Sequence, residues 1–324
     1  MYQNFRIAVI LPCLNEEKQL PGTIATLPNW IDRIFVVDDA STDQTVQVAK
    51  DLAKTDSRIE ILQHATRGGM GKGRTTGFGK CIEEKIDIAV TMDGDGQMDP
   101  HDLPALVNPI VEGKVDYSKG NRFIYPGGLK KIPRTRLIGN FILSALTKLA
   151  SGYWHVSDSQ CGYTAVNLSA LEAIDIQDIY PTYGCPNDIL VKMNIAGQRM
   201  GEVPVNPLYG VGEVSKMRIV KVIFPISRLL CRSFVERIYK KYVLQTGHPL
   251  ALAYLSAFIG FICSGLLGIY ILVRLFQEWM LPKAALMIAG FCVVSTLQLL
   301  VLAFFMDFED NRNLQVILRS PFKK

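Results

Sequence analysis

The chain has 324 residues, the length of one large or two ordinary domains, and 49% of them are hydrophobic, which directs the search toward a membrane segment. The net charge of +5 is modest, and much of the basic excess lies beside apolar runs, a pattern that favours anionic lipid and argues against nucleic acid as partner. Seven cysteines without CxxC spacing argue against a zinc knuckle and fit a reducing compartment.

No signal-peptide pattern precedes the first strand-like run, "FRIAVILP" (5–12). A helix is predicted over 15–27, a second strand in "RIFVVDD" (33–39), and a helix with a Ser/Thr/Asp start signal over 41–54. A third strand, "RIEILQ" (58–63), precedes a glycine-rich turn and a helix over 71–84. "DIAVTMD" (87–93) is the fourth strand. Such alternation predicts an α/β domain built from βαβ units around a mainly parallel sheet. Ligands of such sheets bind beyond the carboxyl ends of the strands. "PCLNEE", "DDAS" and "DGDGQ" all fall at that edge and should surround one crevice.

Beyond residue 116 the pattern loosens. A strand then loop is predicted over 117–128, a helix over 135–150, a short strand within 158–166, a helix over 187–196 and a strand over 199–205. Residues 215–244 alternate basic and apolar positions and are interrupted by Pro225. Two amphipathic helices in the membrane interface fit this, with a soluble bundle helix as the alternative. Two apolar runs follow. Residues 249–276 carry one charge, Arg274, and 284–306 carry none, and each is long enough to cross a hydrocarbon core of about 30 Å.

Lys216, Arg218, Lys221, Arg228, Arg232, Arg237, Lys240 and Lys241 precede this hairpin, and Arg312, Arg319, Lys323 and Lys324 follow it. The connecting loop has only Lys283, which places the N-terminal domain and both termini in the cytoplasm. The predicted organisation is a domain over 1–214, juxtamembrane helices over 215–246, a transmembrane hairpin over 247–308 and a cytoplasmic tail over 309–324. Trp279 reads as an outer-interface anchor, and Gly260, Gly265 and Gly268 as small surfaces that hint at a homo-oligomer.

The stretch "TMDGDGQMDP" places Asp93, Asp95 and Asp99 within seven positions. Carboxylates so crowded repel one another unless a cation or solvent compensates, so the run is either an exposed acidic turn or a divalent-metal site. An EF-hand is rejected, because Met98 and Pro104 stand where its glycine and glutamate belong. An Asp-x-Asp at the end of a buried strand suits a hard cation shared with phosphates. In "RGGMGKGRTT", Thr66 and Gly73 break the Walker A pattern. Gly68, Gly69, Gly71 and Gly73 would let backbone approach a ligand, with Arg67 and Lys72 near its phosphates; a tight turn into a helix is the alternative. His64, His101, His155 and His248 show no triad or zinc spacing. Tyr153, Trp154 and Tyr180 either stack on a sugar or are buried aromatics.

Taken in order, "PCLNEE", "VVDDASTDQT", "RGGMGKG", "MDGDGQMDP", "GNRF" and "DSQCGYTA" resemble family 2 glycosyltransferases of the GT-A (Rossmann-like) fold, in the polyprenyl-phosphate branch that includes dolichyl-phosphate mannose and glucose synthases. The resemblance covers about residues 5–216, and the two-span C-terminus resembles the anchor of some members. It implies that Pro12 and Glu16 line the nucleoside pocket, that Asp39 reads the base, and that Lys72, Asp93, Gly94 and Asp95 contact the nucleotide-sugar. Asp93, Asp95 and Gln97 would hold Mg²⁺ or Mn²⁺. Arg122, Arg134 and Arg136 would face phosphate, and Ser215 with Lys216 the acceptor. Gly94 and Gly96 depart from the residues usual there, so donor-sugar selectivity does not carry over.

Asp93, Asp95, Arg122 and Asp188 make up the expected catalytic set. Asp188 lies where many relatives carry an activating acid, but is assigned a lesser orienting role or a helix cap. The implied reaction moves one sugar, with inversion, from a nucleotide-sugar to a polyprenyl phosphate. A processive synthase of the same superfamily would bring Q-x-x-R-W and more spans, neither of which occurs here. Another lipid acceptor, or a catalytically silent nucleotide-sugar-binding anchor, are the alternatives.

Overall fold

A computed structural model describes residues 1–132, 134–208, 219–278 and 281–318; the side chains at 130, 131, 134–136, 138, 219–223 and 278 fall outside that description. Eight strands form one sheet: β1 (Ile7–Cys13), β2 (Arg33–Asp38), β3 (Ile59–Gln63), β4 (Ile88–Thr91), β5 (Tyr117–Asn121), β6 (Thr164–Asn167), β7 (Met200–Pro204) and β8 (Gln315–Val316). Their order is β3-β2-β1-β4-β6-β5-β7-β8. All pairs are parallel except those made by β6, which runs antiparallel to both β4 and β5.

The apolar run of β1 is continuous because both of its faces are covered. Ile7, Val9 and Leu11 enter one core with Leu103, Leu106 and Val107, whereas Ala8 and Ile10 enter the other with Phe78 and Leu190. The covering helices are α1 (Leu20–Ala25), α2 (Thr45–Ala53), α3 (Met70–Glu83), α4 (Leu103–Val111), α7 (Leu168–Ala173) and α8 (Cys185–Ile195), while α5 (Gly128–Lys131) and α6 (Arg134–Ser151) lie between β5 and β6 in the chain and α6 packs in a smaller cluster on Val191 of α8. The sequence reading missed α4. Its two prolines, Pro104 and Pro109, hide the helical signal, but Pro104 occupies the first turn, where no backbone donor is lost, and the apolar face is held by the core.

Two further differences concern the C-terminal third. The helix α9 (Ile219–Arg237) continues through Pro225 and passes directly into a π-helical stretch, Ile238–Gln245, so the expected break at Pro225 does not occur. Packing of Ile226 and Leu230 against Leu143 and Val191 outweighs the hydrogen bond that proline removes. The segment after the second apolar helix is also more than a tail, because β8 pairs with β7 through Met200↔Gln315 and Gly201↔Val316.

Two compact units result: residues 1–235 with 313–324, and residues 236–312. The second contains α10 (Leu250–Glu278) and α11 (Lys283–Asp310), each long and apolar enough to cross a membrane. Gly260 lets α10 approach Thr296 of α11, so that glycine is spent inside the hairpin, whereas Gly265 and Gly268 face open space. At the base of this unit Asp307 accepts from both Arg237 Nη1 (2.7 Å) and Nη2 (2.8 Å) and from Tyr242 Oη (3.0 Å). Asn311 joins the same buried knot, donating to Tyr242 Oη at 2.8 Å and accepting from Lys241 Nζ at 2.6 Å. These partners lie on the π-helical stretch, its preceding residue, and the end of α11 and the residue after it, and Tyr254 of α10 adds a bond from its Oη to Asp307 Oδ2 at 3.5 Å. Trp279 lies outside the described residues.

Candidate active site

The strand ends nearest the middle of the sheet bring the sequence-predicted residues together. Pro12 and Cys13 end β1, Asp39 follows β2, and Asp93–Asp95 follow β4. The Asp39 amide donates to Cys13 O (2.9 Å) and the Gly94 amide to Pro12 O (3.4 Å), which locks the three ends into one edge. A β-carbon at Gly94 would stand 2.7 Å from Cys13 Sγ, so the close approach requires glycine. Burial first, and then the surrounding charges of Glu16, Asp38, Asp93 and Asp95, push the Cys13 thiol well above its ordinary range. The field of four carboxylates therefore reaches this buried sulfur.

Asp39 organises the glycine-rich turn. Its Oδ1 accepts from the Gly68 amide (2.7 Å) and its Oδ2 from the Gly69 amide (2.8 Å), while His64 Nδ1 lies 2.8 Å from Oδ1. His64 Nε2 reaches Thr76 Oγ1 on α3 at 2.8 Å. Burial opposes the charge on Asp39, yet the bonds from His64, Gly68 and Gly69 together hold its carboxyl below the ordinary range. The turn is fixed from its other side by Pro181 O, which accepts from the Gly71 and Lys72 amides (2.8 and 3.2 Å). A side chain at Gly71 would collide with Tyr180 O. Lys72 itself is exposed.

Asp93 is bound by Arg74, whose Nη2 donates to Oδ1 at 2.9 Å from a fully buried position on α3. Asp95 Oδ1 accepts from the Gln97 amide at 3.0 Å within the same turn. Pro12 packs near Gly73, and the Glu16 amide donates to Thr45 Oγ1 at 2.8 Å. Asp188, on α8, accepts from the Tyr180 amide at 2.9 Å and lies 3.8 Å from Lys192 Nζ. It thereby fixes the segment whose next carbonyl holds the glycine turn. Burial pushes the Cys185 thiol up to about 11; Arg74 favours its charged form, and Asp188 and Asp93 disfavour it.

Arg122 stands on a second polar cluster at the end of β5. Its Nε and Nη2 form a fork on buried Asp158, both bonds at 2.8 Å. Beneath it Lys119 Nζ donates to Cys161 O, and Asn121 Nδ2 donates to Glu202 Oε2 at 2.6 Å. Burial lowers the Lys119 amine, against the pull of Cys161, Asp158 and Glu202. The side chains of Arg134 and Arg136 lie outside the described residues, as do Ser215 and Lys216.

The donor chemistry at the edge suits a hard divalent cation. Asp93, Asp95 and Gln97 offer oxygen ligands, and among the described residues no three His, Cys, Asp or Glu side chains form a complete cage. A six-coordinate ion held there would draw its other ligands from phosphate and water.

Residues 8–175 match the sequence profile of glycosyl transferase family 2. The chain belongs to that family. A UDP-N-acetylglucosamine–dolichyl-phosphate N-acetylglucosaminyltransferase of Methanococcus voltae is 33% identical over 216 residues, covering 63% of this chain and 86% of that protein. An undecaprenyl-phosphate mannosyltransferase of Micrococcus luteus is 30% identical over 203 residues, covering 62% and 82%. Among solved structures, glucosyl-3-phosphoglycerate synthase of Mycobacterium tuberculosis, in a complex with Mn²⁺, UDP and glucosyl-3-phosphoglycerate, superposes with a TM-score of 0.53. It is 20% identical and covers 72% of this chain and 80% of that one, a likeness of fold that makes the mixed, mostly parallel sheet GT-A-like.

Three side chains bonded to predicted site residues of this family 2 glycosyltransferase were overlooked by the sequence reading. Arg74 was hidden inside "GKGRTT"; the room for its guanidinium is cleared by distant Gly162, where a β-carbon would collide with Nη2, so no neighbouring residue signalled it. His64 was set aside for want of a second histidine, although its true partners are a carboxylate and a hydroxyl. Asp158, inside "DSQCGYTA", carried no mark of its pairing with Arg122.

Proposed function

We propose that this chain is an inverting, metal-dependent glycosyltransferase that moves one sugar from a UDP- or GDP-linked donor to a polyprenyl phosphate at the cytoplasmic face of a membrane. The convergence of Asp39, the glycine turn and Asp93–Asp95 on one sheet edge is the observation that carries this reading. Relatives that act on dolichyl and undecaprenyl phosphate support the acceptor class.

Asp39 reads the base, with Pro12 and Glu16 lining the nucleoside pocket and Lys72 and the glycine turn on the diphosphate. Asp93, Asp95 and Gln97 hold Mg²⁺ or Mn²⁺; when bound, the ion neutralises charge on the diphosphate leaving group. Arg74 keeps Asp93 aimed. The acceptor phosphate, with a second pKa of about 6, is already anionic at neutral pH, so its oxygen attacks the anomeric carbon without an enzyme base. The chain's task is to position it, and Arg122, Arg134, Arg136, Ser215 and Lys216 offset phosphate repulsion. Asp188 orients the segment that supports the glycine turn.

Residues 1–214, with the returning strand β8, form the catalytic domain, 215–246 the juxtamembrane segment and 247–308 the anchor. Positive-inside bias puts both termini in the cytoplasm, and the return of β8 to the sheet supports an even number of crossings between them. The test combines purified full-length protein, Mn²⁺ or Mg²⁺, polyprenyl phosphate and a panel of UDP- and GDP-sugars, with mass spectrometry of the lipid. A metal-dependent glycosyl-phospho-polyprenol from one donor is the expected product. Donor binding without any such product would overturn the reading.

A further inference from the structure

The start of α8 meets α9 at a glycine that its backbone does not require. Gly184, buried at the cap of α8, has φ −77° and ψ −7°, angles open to other residues. Space explains the glycine instead. A β-carbon there would collide with Leu229 Cδ2 of α9 and stand 3.0 and 3.2 Å from Cδ1 and Cε1 of the Tyr180 ring. Leu229 is therefore seated against the helix start and the ring. α9 holds it there, because Ile226 and Leu230, both buried, pack in one cluster with Val191 of α8.

What Leu229 presses on leads to the glycine turn. Pro181 O accepts from the Gly71 and Lys72 amides at 2.8 and 3.2 Å, and a β-carbon at Gly69 would stand 2.7 Å from the same oxygen. Pro181, Thr182 and Tyr183 are exposed, so this segment depends on its two ends for its position. One end is the Tyr180 amide, which donates to Asp188 Oδ2 at 2.9 Å; the other is Gly184 beneath Leu229. A shift at Leu229 passes along so short a path, because close-packed side chains transmit strain to their neighbours.

We infer that Leu229 is a positioning residue for the donor: through Gly184 and Pro181, α9 buttresses the turn that carries the diphosphate, so the helix ahead of the apolar hairpin sets donor affinity. The identity of the ligand rests on the transferase reading above; the buttress does not. Amide exchange of the full-length protein in detergent, without donor and followed by mass spectrometry, reads the turn directly. Leu229→Ala should speed exchange of the Gly71 and Lys72 amides by roughly 3–30-fold, the range expected of residues coupled through contact, and leave Thr45–Ala53 unchanged. Gly184→Ala, which drives a methyl group into Leu229, should do likewise. The double variant should lie nearer the parent than either single variant, since the methyl group then has room. In the transfer assay, donor KM should rise for each single variant with kcat near the parent value. Unchanged exchange at 71 and 72, acceleration that spreads equally to 45–53, effects of the two substitutions that simply add, or a fall confined to kcat would each overturn the inference. A parent chain that bound no nucleotide-sugar would overturn the transferase reading, and the exchange results would still decide the buttress.

Discussion

Asp95 is held by its own turn, its Oδ1 receiving the Gln97 amide at 3.0 Å, so Asp95→Asn alters charge while retaining an oxygen for that bond. Loss of a direct metal ligand should lower transfer by at least ~100-fold, since even partners behind the ligands are worth 10–100-fold. Initial rates at saturating donor, with circular dichroism to confirm folding, would show it. His64 acts one step back, through Asp39. His64→Ala removes its bonds to Asp39 and Thr76, each worth about 0.5–1.5 kcal/mol, which should raise donor KM several-fold and leave kcat near the parent value. A change confined to kcat would contradict the positioning role.

Asp102 gives the pH prediction. Burial, with repulsion from Asp99, raises its carboxyl to about 6, against a bond from the Asn206 amide. The folded state therefore keeps a proton that the unfolded chain releases. This contribution to stability is complete below the ordinary carboxylate range and is lost as pH rises through about 6. Asp102→Asn should raise Tm by roughly 2–4 °C at about pH 8, where the parent bears the buried charge, and by less near pH 4.5. Thermal melts at the two pH values decide it.

At the scale of elements, strands and long helices were legible wherever the signal was local. The first four strands and α2, α3, α6 and α8 emerged within a few residues, because apolar runs, periodicity and cap residues are written in neighbouring positions. The misread elements are those whose propensity is overruled from elsewhere: α4, with two prolines, and α9, which survives Pro225 because Leu143 and Val191 hold it. The two-residue strand β8 carries no pattern at all; only its partner β7 makes it a strand. At the base of the hairpin, Arg237 and Asp307 form a fully buried fork. Asp307→Ala leaves a buried guanidinium uncompensated and should destabilise this element by about 3–5 kcal/mol. Denaturation in mild detergent would measure it, and a neutral result would mean that water replaces the carboxylate.

For the whole molecule, the reading requires a divalent ion that Asp93, Asp95 and Gln97 complete only together with phosphate. Chelation should reduce transfer by at least ~100-fold and leave the far-ultraviolet spectrum unchanged, with activity restored by Mn²⁺ or Mg²⁺. Loss of secondary structure on chelation would instead make the ion structural.

The sequence by itself determined the α/β alternation, the placing of three polar clusters at one sheet edge, and the two apolar helices, since period, length and strand-end position are properties of short windows. Only the tertiary structure decided which side chains hold which. Arg74 meets Asp93 across 19 positions, His64 meets Asp39 across 25, and Arg122 meets Asp158 across 36. Those pairs exist because strand order and helix packing bring distant positions to one place, and no window of the chain contains that order. The same holds for α6, whose polar residues became its inward face only when Ser159 was folded against them.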